Sequence, residues 1–337
     1  MADEAQLSQT RRSTSPGAEE LLGRYFAVLD HGFVALIDYM GSDVDIERAA
    51  RVSYGHGTRK VSQTRGLIRY LRRHGHTSPS EMVELKLHCS MPIFVARQWI
   101  RHRTASLNEM SGRYSLLPML FYRPPPDQVQ LQDAANSQGR SGREIESALR
   151  DEAYRRWQAA RASAVANYEW LCNNDVAREL ARIDLPLSTY TQWYWKIDLH
   201  NFLHFLSLRV DSHAQWEIRA YGEVMAGMLK RIAPLSYEAW IDYDLGGGRL
   251  SRVELDILRS LVRPSADGLI SVPGSISRAE MEAKGLSRRE VDELFATLSD
   301  RKPPDFELEL AQAKSAAFFE REAAQAVPLA GPEPSEE

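Results

Sequence analysis

The chain has 337 residues, and 42 Lys and Arg against 46 Asp and Glu leave a formal charge of −4 with histidine neutral. This mildly acidic balance argues against a general nucleic-acid coat or a membrane-surface protein, because both partners reward net positive charge. Two cysteines, Cys89 and Cys172, make neither a disulfide framework nor a four-cysteine zinc site, and no apolar run approaches the ~20 residues that span a bilayer.

Residues 1–24 are polar and small and are expected to be disordered. They hold neither the apolar core of a secretion signal nor the acid-poor composition of a transit peptide, so a cytoplasmic setting is expected. Order is expected near Gly32-Phe33-Val34-Ala35-Leu36-Ile37, an apolar run of strand length. Residues 60–74 carry Val61, Leu67, Ile68 and Leu71 at near-helical spacing, with Gly75 as the stop. Val83, Leu85 and Leu87 then alternate with Glu84, Lys86 and His88, the period of a half-buried strand. Pro92 opens an apolar helix, IFVARQWIRHR, whose last turn is Arg101-His102-Arg103.

After a proline-rich break (Tyr122-Arg123-Pro124-Pro125-Pro126-Asp127), a long helix is expected from about 143 to 172. Ile145, Leu149, Ala153, Trp157, Ala160, Ala164 and Leu171 would share one broad face of it. VARELARI reads as a shorter helix ending before Pro186, and Thr189 to Ile197 as an aromatic strand. Two further helices are expected at about 199–208 and 213–232. Gly246-Gly247-Gly248 is the expected domain boundary. The layout is then 1–24 disordered, 25–245 the main domain, 246–302 a small helical extension, and 303–337 a C-terminal helix or disordered tail. Removing residues from about 250 onward should leave the main domain intact.

The densest polar stretch runs from Arg97 to Tyr114. Arg97, Gln98 and Arg101 lie within one helical turn, so Gln98 and Arg101 share a face. Arg101, Arg103 and Arg113 bracket Ser106, Asn108, Glu109 and Ser111. A solvated, salt-bridged helix end is the bland alternative. Here the run interrupts an apolar helix just after a strand and mixes guanidinium, imidazole, amide and hydroxyl groups. Guanidinium forks grip phosphates bidentately, which points to a phosphorylated small molecule or nucleotide held where helix gives way to loop.

Arg101-His102-Arg103, seven residues, then Ser111 is the pattern RHRx7S, and the fuller RHRxxSxNExSxRY is met at every fixed position. Leu208-Arg209-Val210-Asp211-Ser212-His213-Ala214-Gln215-Trp216-Glu217 forms a second block. Over roughly residues 28–243 the chain resembles the flavin-dependent thymidylate synthases. The resemblance implies an α/β (α+β) fold, a mostly antiparallel sheet flanked by helices and not a doubly wound Rossmann sheet; the chain has no GxGxxG. It implies reductive methylation of dUMP to dTMP for dTMP biosynthesis. The carbon donor would be 5,10-methylenetetrahydrofolate, the cofactor FAD and the reductant NADPH. The assembly would be a homotetramer with shared active sites, with neither nucleic acid nor membrane as partner.

By motif position, the resemblance assigns Ser78, Arg101, His102, Arg103, Glu109, Asp198, Leu199, His200 and His204 to FAD. It assigns Gln98, Trp99, Ile100, Arg101, Glu109, Met110, Ser111, Gly112, Arg113, Arg182 and Arg209 to dUMP. His76 would lie near flavin and folate, and Arg209 would be the catalytic contact to the uracil ring. One position departs: the upstream loop reads Glu81-Met82 where the family commonly has Glu-His, which removes an imidazole contact.

Other features are weighed against plainer readings. His200 and His204, like His213 and Glu217, are four apart and share a helix face, as zinc ligands could. Without HExxH grammar, flavin contact is the preferred reading for the first pair, and no metal is expected. Cys89 faces away from His88 and reads as a small buried hydrophobe, so thiolate attack on the uracil has no candidate. Ser111 has no His/Asp partner pattern and reads as a binding residue. Trp193, Tyr194 and Trp195 read as core. Arginine stays protonated, so Arg209 would act as a fixed cation beside N3 and O2 of the ring. The alternative functions are a nucleotide- or RNA-binding protein that uses the arginine-rich segment, and a family member that only oxidises NADPH.

Overall fold

The alternating run around Leu85 becomes the centre of a five-stranded sheet. In the computed structural model, which describes residues 12–52, 64–134, 138–265, 270–299 and 302–326, the strands of the main unit are β1 (Tyr25–Val28), β2 (Gly32–Met40), β3 (Glu84–Pro92), β4 (Ser106–Glu109), β5 (Gln130–Gln132), β6 (Arg140–Glu144) and β7 (Tyr190–Asp198). The sheet order is β1-β2-β3-β7-β4, every neighbouring pair is antiparallel, and β5 with β6 forms a separate hairpin. The helices are α1 (Pro16–Glu19), α2 (Asp43–Val52), α3 (Thr64–Arg73), α4 (Ile93–Trp99), α5 (Ser147–Asn173), α6 (Arg178–Ala181), α7 (Leu199–Arg209), α8 (Trp216–Ile232), α9 (Pro234–Trp240), α10 (Arg252–Leu261), α11 (Arg278–Ala283), α12 (Arg288–Leu298) and α13 (Ala316–Gln325). An antiparallel sheet flanked by helices is the expected fold class. Val61 and the start of the 60–74 helix lie outside the described residues. Gly75 ends α3 in the left-handed region, φ 67°, which suits a residue without a Cβ.

The β3–β7 register runs unbroken from Glu84 opposite Asp198 to Pro92 opposite Tyr190. Because directly paired residues share a face, Leu85, Leu87 and Cys89 lie on one side with Ile197, Trp195 and Trp193, all buried. Lys86, His88 and Ser90 lie on the other with Lys196, Tyr194 and Gln192. Trp99 centres the first side. Its ring sits 5.5 and 5.2 Å from Trp193 and Trp195, 5.0 Å from Phe205 of α7 and 5.7 Å from Tyr221 of α8. Trp193 and Trp195 are core, as expected, while Tyr194 is exposed on the polar face.

Several expected boundaries move. The helix after Pro92 ends at Trp99, and Arg101-His102-Arg103 lies in the turn beyond it, closed by His102 N–H on the Trp99 carbonyl at 3.0 Å. The cause is tertiary: residues 106–109 must extend to pair with β7, so the helix stops early. The long helix begins at Ser147 because residues 140–144 are spent in β6, and Leu149, Trp157 and Ala160 of the expected apolar stripe are exposed. VARELARI keeps only Arg178–Ala181 as helix. The helix expected from 213 starts at Trp216, which leaves His213 outside it, bonded to Asp211 at 2.9 Å rather than aligned with Glu217.

The segment expected to be disordered before residue 25 is partly folded. Ser15 caps α1 and donates to the Ile232 carbonyl at 2.8 Å, while Ala18 and Leu21 are fully buried. The chain divides into two compact units, Met1–Tyr237 with Phe306–Glu337, and Glu238–Asp305. The division precedes the glycine triplet. In the second unit α10, α11 and α12 are each opened by a serine–glutamate capping box around Ile257, Met281, Leu286, Val291 and Leu294.

The C-terminal segment belongs to the first unit. Tyr25 and Lys314 exchange both backbone hydrogen bonds at 3.1 and 2.8 Å. Phe319 of α13 is buried against Phe33 and Tyr25, with ring centroids 4.8 and 6.1 Å away. Leu308 packs where a Cβ on Gly227 would come within 3.0 Å of it. Removing everything after about 250 would therefore strip part of the main unit's own core, contrary to the expectation from composition.

Candidate active site

The turn after α4 and the last turn of α7 meet over the aromatic core. The apolar positions Phe202, Leu203, Phe205 and Leu206 hold α7 against the sheet, which leaves His204 and Arg209 on its free side. Arg209 Nε donates to His102 Nε2 at 3.0 Å, and its Nη2 donates to the Gln98 carbonyl at 3.3 Å. The His102 ring packs 4.9 Å from Phe205 and 6.0 Å from His204. Since Nε2 accepts, the imidazole is neutral. Burial, then the charge of Arg209 and the neighbouring His204, push its pKa down to about 4. Arg209 is half-buried and faces a neutral ring and a carbonyl, not a carboxylate. A partly desolvated cation without a counter-charge is costly, and an anionic ligand would relieve that cost.

The structure thus brings together Gln98, His102, His204 and Arg209. A second group forms downstream. A Cβ on Gly112 would crowd the side chains of Leu117 and Arg182, at 2.8 and 3.2 Å, and Arg113 pairs with Glu179 at 3.4 Å. Ser111 Oγ accepts from Arg113 N–H at 3.3 Å, and Met110 N–H donates to the Gln192 carbonyl at 2.9 Å. Glu109 Oε1 accepts from the Thr191 hydroxyl at 2.7 Å, at the edge of a cavity of about 480 Å³ on the polar face of the sheet. Asn108, His88, Gln192, Tyr194 and Phe319 also line this cavity. Arg101 and Arg103 are exposed and make no ion pair among the described residues; Ile100 is exposed beside them.

Some assigned residues serve the fold. Trp99 and Leu199 are fully buried, so only their backbone could meet a ligand. Asp198 caps α7 by accepting from Asn201 N–H at 2.9 Å. Ser78 and His76 are exposed, His76 beside Tyr70, and no hydrogen bond or ring contact joins either to the Arg209 cluster among the described residues. Among those residues no three His, Cys, Asp or Glu side chains converge as a metal ion would require. The motif reading left Gln215 and Glu217 without a role, although they sit in its second block. Gln215 bonds Gln98, and Glu217 lies buried behind both.

A neutral histidine, guanidinium groups without an ion pair among the described residues and a glycine turn, set at the edge of an antiparallel sheet, make up an anion-accepting site in an α/β protein. Comparison with known sequences places it more closely. The family described as thymidylate synthase complementing protein matches residues 35–235. The flavin-dependent thymidylate synthase of Ruegeria pomeroyi is 49% identical over 296 residues, 86% of this chain and 93% of the relative. That of Gluconobacter oxydans is 48% identical over 304 residues, covering 88% and 95%. The chain belongs to the flavin-dependent thymidylate synthase family. Among solved structures, the UMP/dUMP methylase PolB of Streptomyces cacaoi, bound with 5-Br UMP, aligns with a TM-score of 0.58 and 32% identity. The alignment covers 65% of this chain and 97% of that one.

Proposed function

We propose that the chain methylates dUMP reductively to dTMP in the cytoplasm. The carbon comes from 5,10-methylenetetrahydrofolate, the reducing equivalents from NADPH, and FAD is held in a homotetramer. The observation that carries this reading is the hydrogen bond from Arg209 to His102, which couples the residue assigned to the uracil ring with one assigned to the flavin. Arg209 stays protonated and, with no carboxylate partner among the described residues, stabilises negative charge as it develops on N3 and O2 while C5 becomes nucleophilic. His102, neutral and oriented by Arg209, keeps its Nδ1 proton as a donor.

Residues suited to the flavin surround this pair. Arg101 and Arg103, cations with no ion pair among the described residues, suit its diphosphate, and His200 has a buried Nδ1 likewise without a partner among them, a group a ligand would satisfy. Bound there, FAD would supply the hydride that reduces the transferred carbon to a methyl group. Gly112, Arg113 and Arg182 are suited to the nucleotide phosphate, with the glycine letting backbone approach closely.

No thiolate enters the scheme. Cys89 lies on the core side of β3, fully buried, and burial pushes its thiol pKa well up. The test is a product assay with dUMP, methylenetetrahydrofolate and NADPH on the yellow holoenzyme. dTMP is expected; NADPH oxidation without dTMP would overturn the assignment.

A further inference from the structure

Behind Gln98 runs a chain of hydrogen bonds that ends on a buried carboxylate. Glu217, in the first turn of α8, is 1% exposed and accepts from three donors. Oε1 takes the Tyr122 hydroxyl at 3.0 Å and the Arg140 guanidinium; Oε2 takes Gln215 Nε2 at 2.8 Å. Gln215 Oε1 accepts in turn from Gln98 Nε2. We propose that Glu217, through Gln215, is a positioning residue that turns the Gln98 amide so that its carbonyl oxygen meets the nucleotide, at a donor on the base or sugar. This rests on the functional reading above.

The polarity of each link follows from the one behind it. An ionised carboxylate can only accept, so Gln215 must offer it the NH2 group. That leaves Gln215 its carbonyl oxygen, which only a donor can answer, and the donor is the NH2 of Gln98. The group left over is Gln98 Oε1. An isolated amide could present either end, since its oxygen and nitrogen are nearly the same in shape. Anchoring the chain at a carboxylate already bonded by Arg140 and Tyr122 removes that freedom, as a fully satisfied polar network specifies one arrangement. Burial and the adjacent Glu217 raise the Tyr122 pKa, so its hydroxyl remains a donor.

The ligand chemistry is thereby narrowed. An ionised phosphate presents acceptors only, so a carbonyl oxygen has nothing to bond there. In the proposed substrate the available donors are the imide N3–H of the ring and the sugar hydroxyl. Both are answered by the same acceptor, and analogues separate them.

The experiment measures dUMP dissociation constants on oxidised holoenzyme, from the change in flavin absorbance, for wild type, Gln215→Leu, Gln98→Leu and the double variant. Gln215 is exposed, so its replacement should leave flavin content unchanged and the thermal midpoint within a few degrees. Each single replacement should weaken binding about tenfold, the scale of one hydrogen bond. The double variant should bind no more weakly than Gln98→Leu alone, because Gln215 acts only through Gln98. The effect of Gln215→Leu should vanish with N3-methyl-dUMP if the imide is the donor, or with 2′,3′-dideoxyuridine monophosphate if the hydroxyl is. Additive single effects, or undiminished sensitivity with both analogues, would overturn the relay. Wild-type holoenzyme that does not bind dUMP would overturn the functional reading and the relay with it.

Discussion

Replacing Arg209 by lysine keeps a positive charge at the end of α7 and removes the fork. In the native arrangement the guanidinium spends Nε on His102 at 3.0 Å and Nη2 on the Gln98 carbonyl at 3.3 Å, which aims the remaining N–H groups in a fixed direction. An ammonium on a flexible stem is a point charge that cannot hold both contacts and also present parallel donors to a ring. The change is made outside the aromatic core, so fold and flavin should persist. What is lost is a charge-assisted contact that strengthens as the uracil acquires negative charge. Removing one such preorganised donor costs about 3 kcal/mol, roughly a hundredfold or more in rate. Two measurements decide the matter: steady-state dTMP formation, and anaerobic bleaching of the flavin by NADPH. Arg209→Lys should lose most of the first and keep the second, which needs no uracil chemistry. Near-normal dTMP formation would refute the role assigned to Arg209, and equal loss of both activities would place it at the flavin instead.

Phe319→Ala empties a buried aromatic site against Phe33 and Tyr25 and should lower unfolding free energy by about 3 kcal/mol, read as a shifted urea midpoint. An unchanged midpoint would show that α13 does not belong to the core. His102 titrates at about 4 in the native state against an ordinary 6.5, so between those values the unfolded chain binds a proton that the folded protein refuses. Stability should fall as pH drops through that window, and less steeply in His102→Asn than in wild type; parallel denaturant series with equal slopes would contradict the neutral assignment. Replacing Cys89 and Cys172 together by alanine should leave dTMP formation within about threefold of wild type, whereas loss of a true nucleophile costs several powers of ten. A folded, yellow and inactive double variant would restore a thiolate route.

Much of the molecule is determined locally. The alternation of Val83, Leu85 and Leu87 specifies a strand with one buried face, and the register with β7 adds only which residues oppose it. The order of groups from Arg97 to Tyr114 points to an anion-binding turn because guanidinium, hydroxyl and glycine at that spacing suit a phosphate. Three things needed the tertiary structure. Arg101-His102-Arg103 leaves its helix because residues 106–109 must form an edge strand on β7, which lies far along the chain. The C-terminal segment folds because Phe319 finds an apolar patch on β1 and β2, a burial that no feature of its own Ala- and Glu-rich surroundings announces. Gln215 and Glu217 acquire their roles only when Gln98, Tyr122 and Arg140 are carried to them from elsewhere in the chain. Periodicity and motif spacing report what a segment does with its immediate neighbours. The orientation of the Gln98 amide and the burial of Phe319 depend on residues far apart in sequence, so they are settled only when the chain closes on itself.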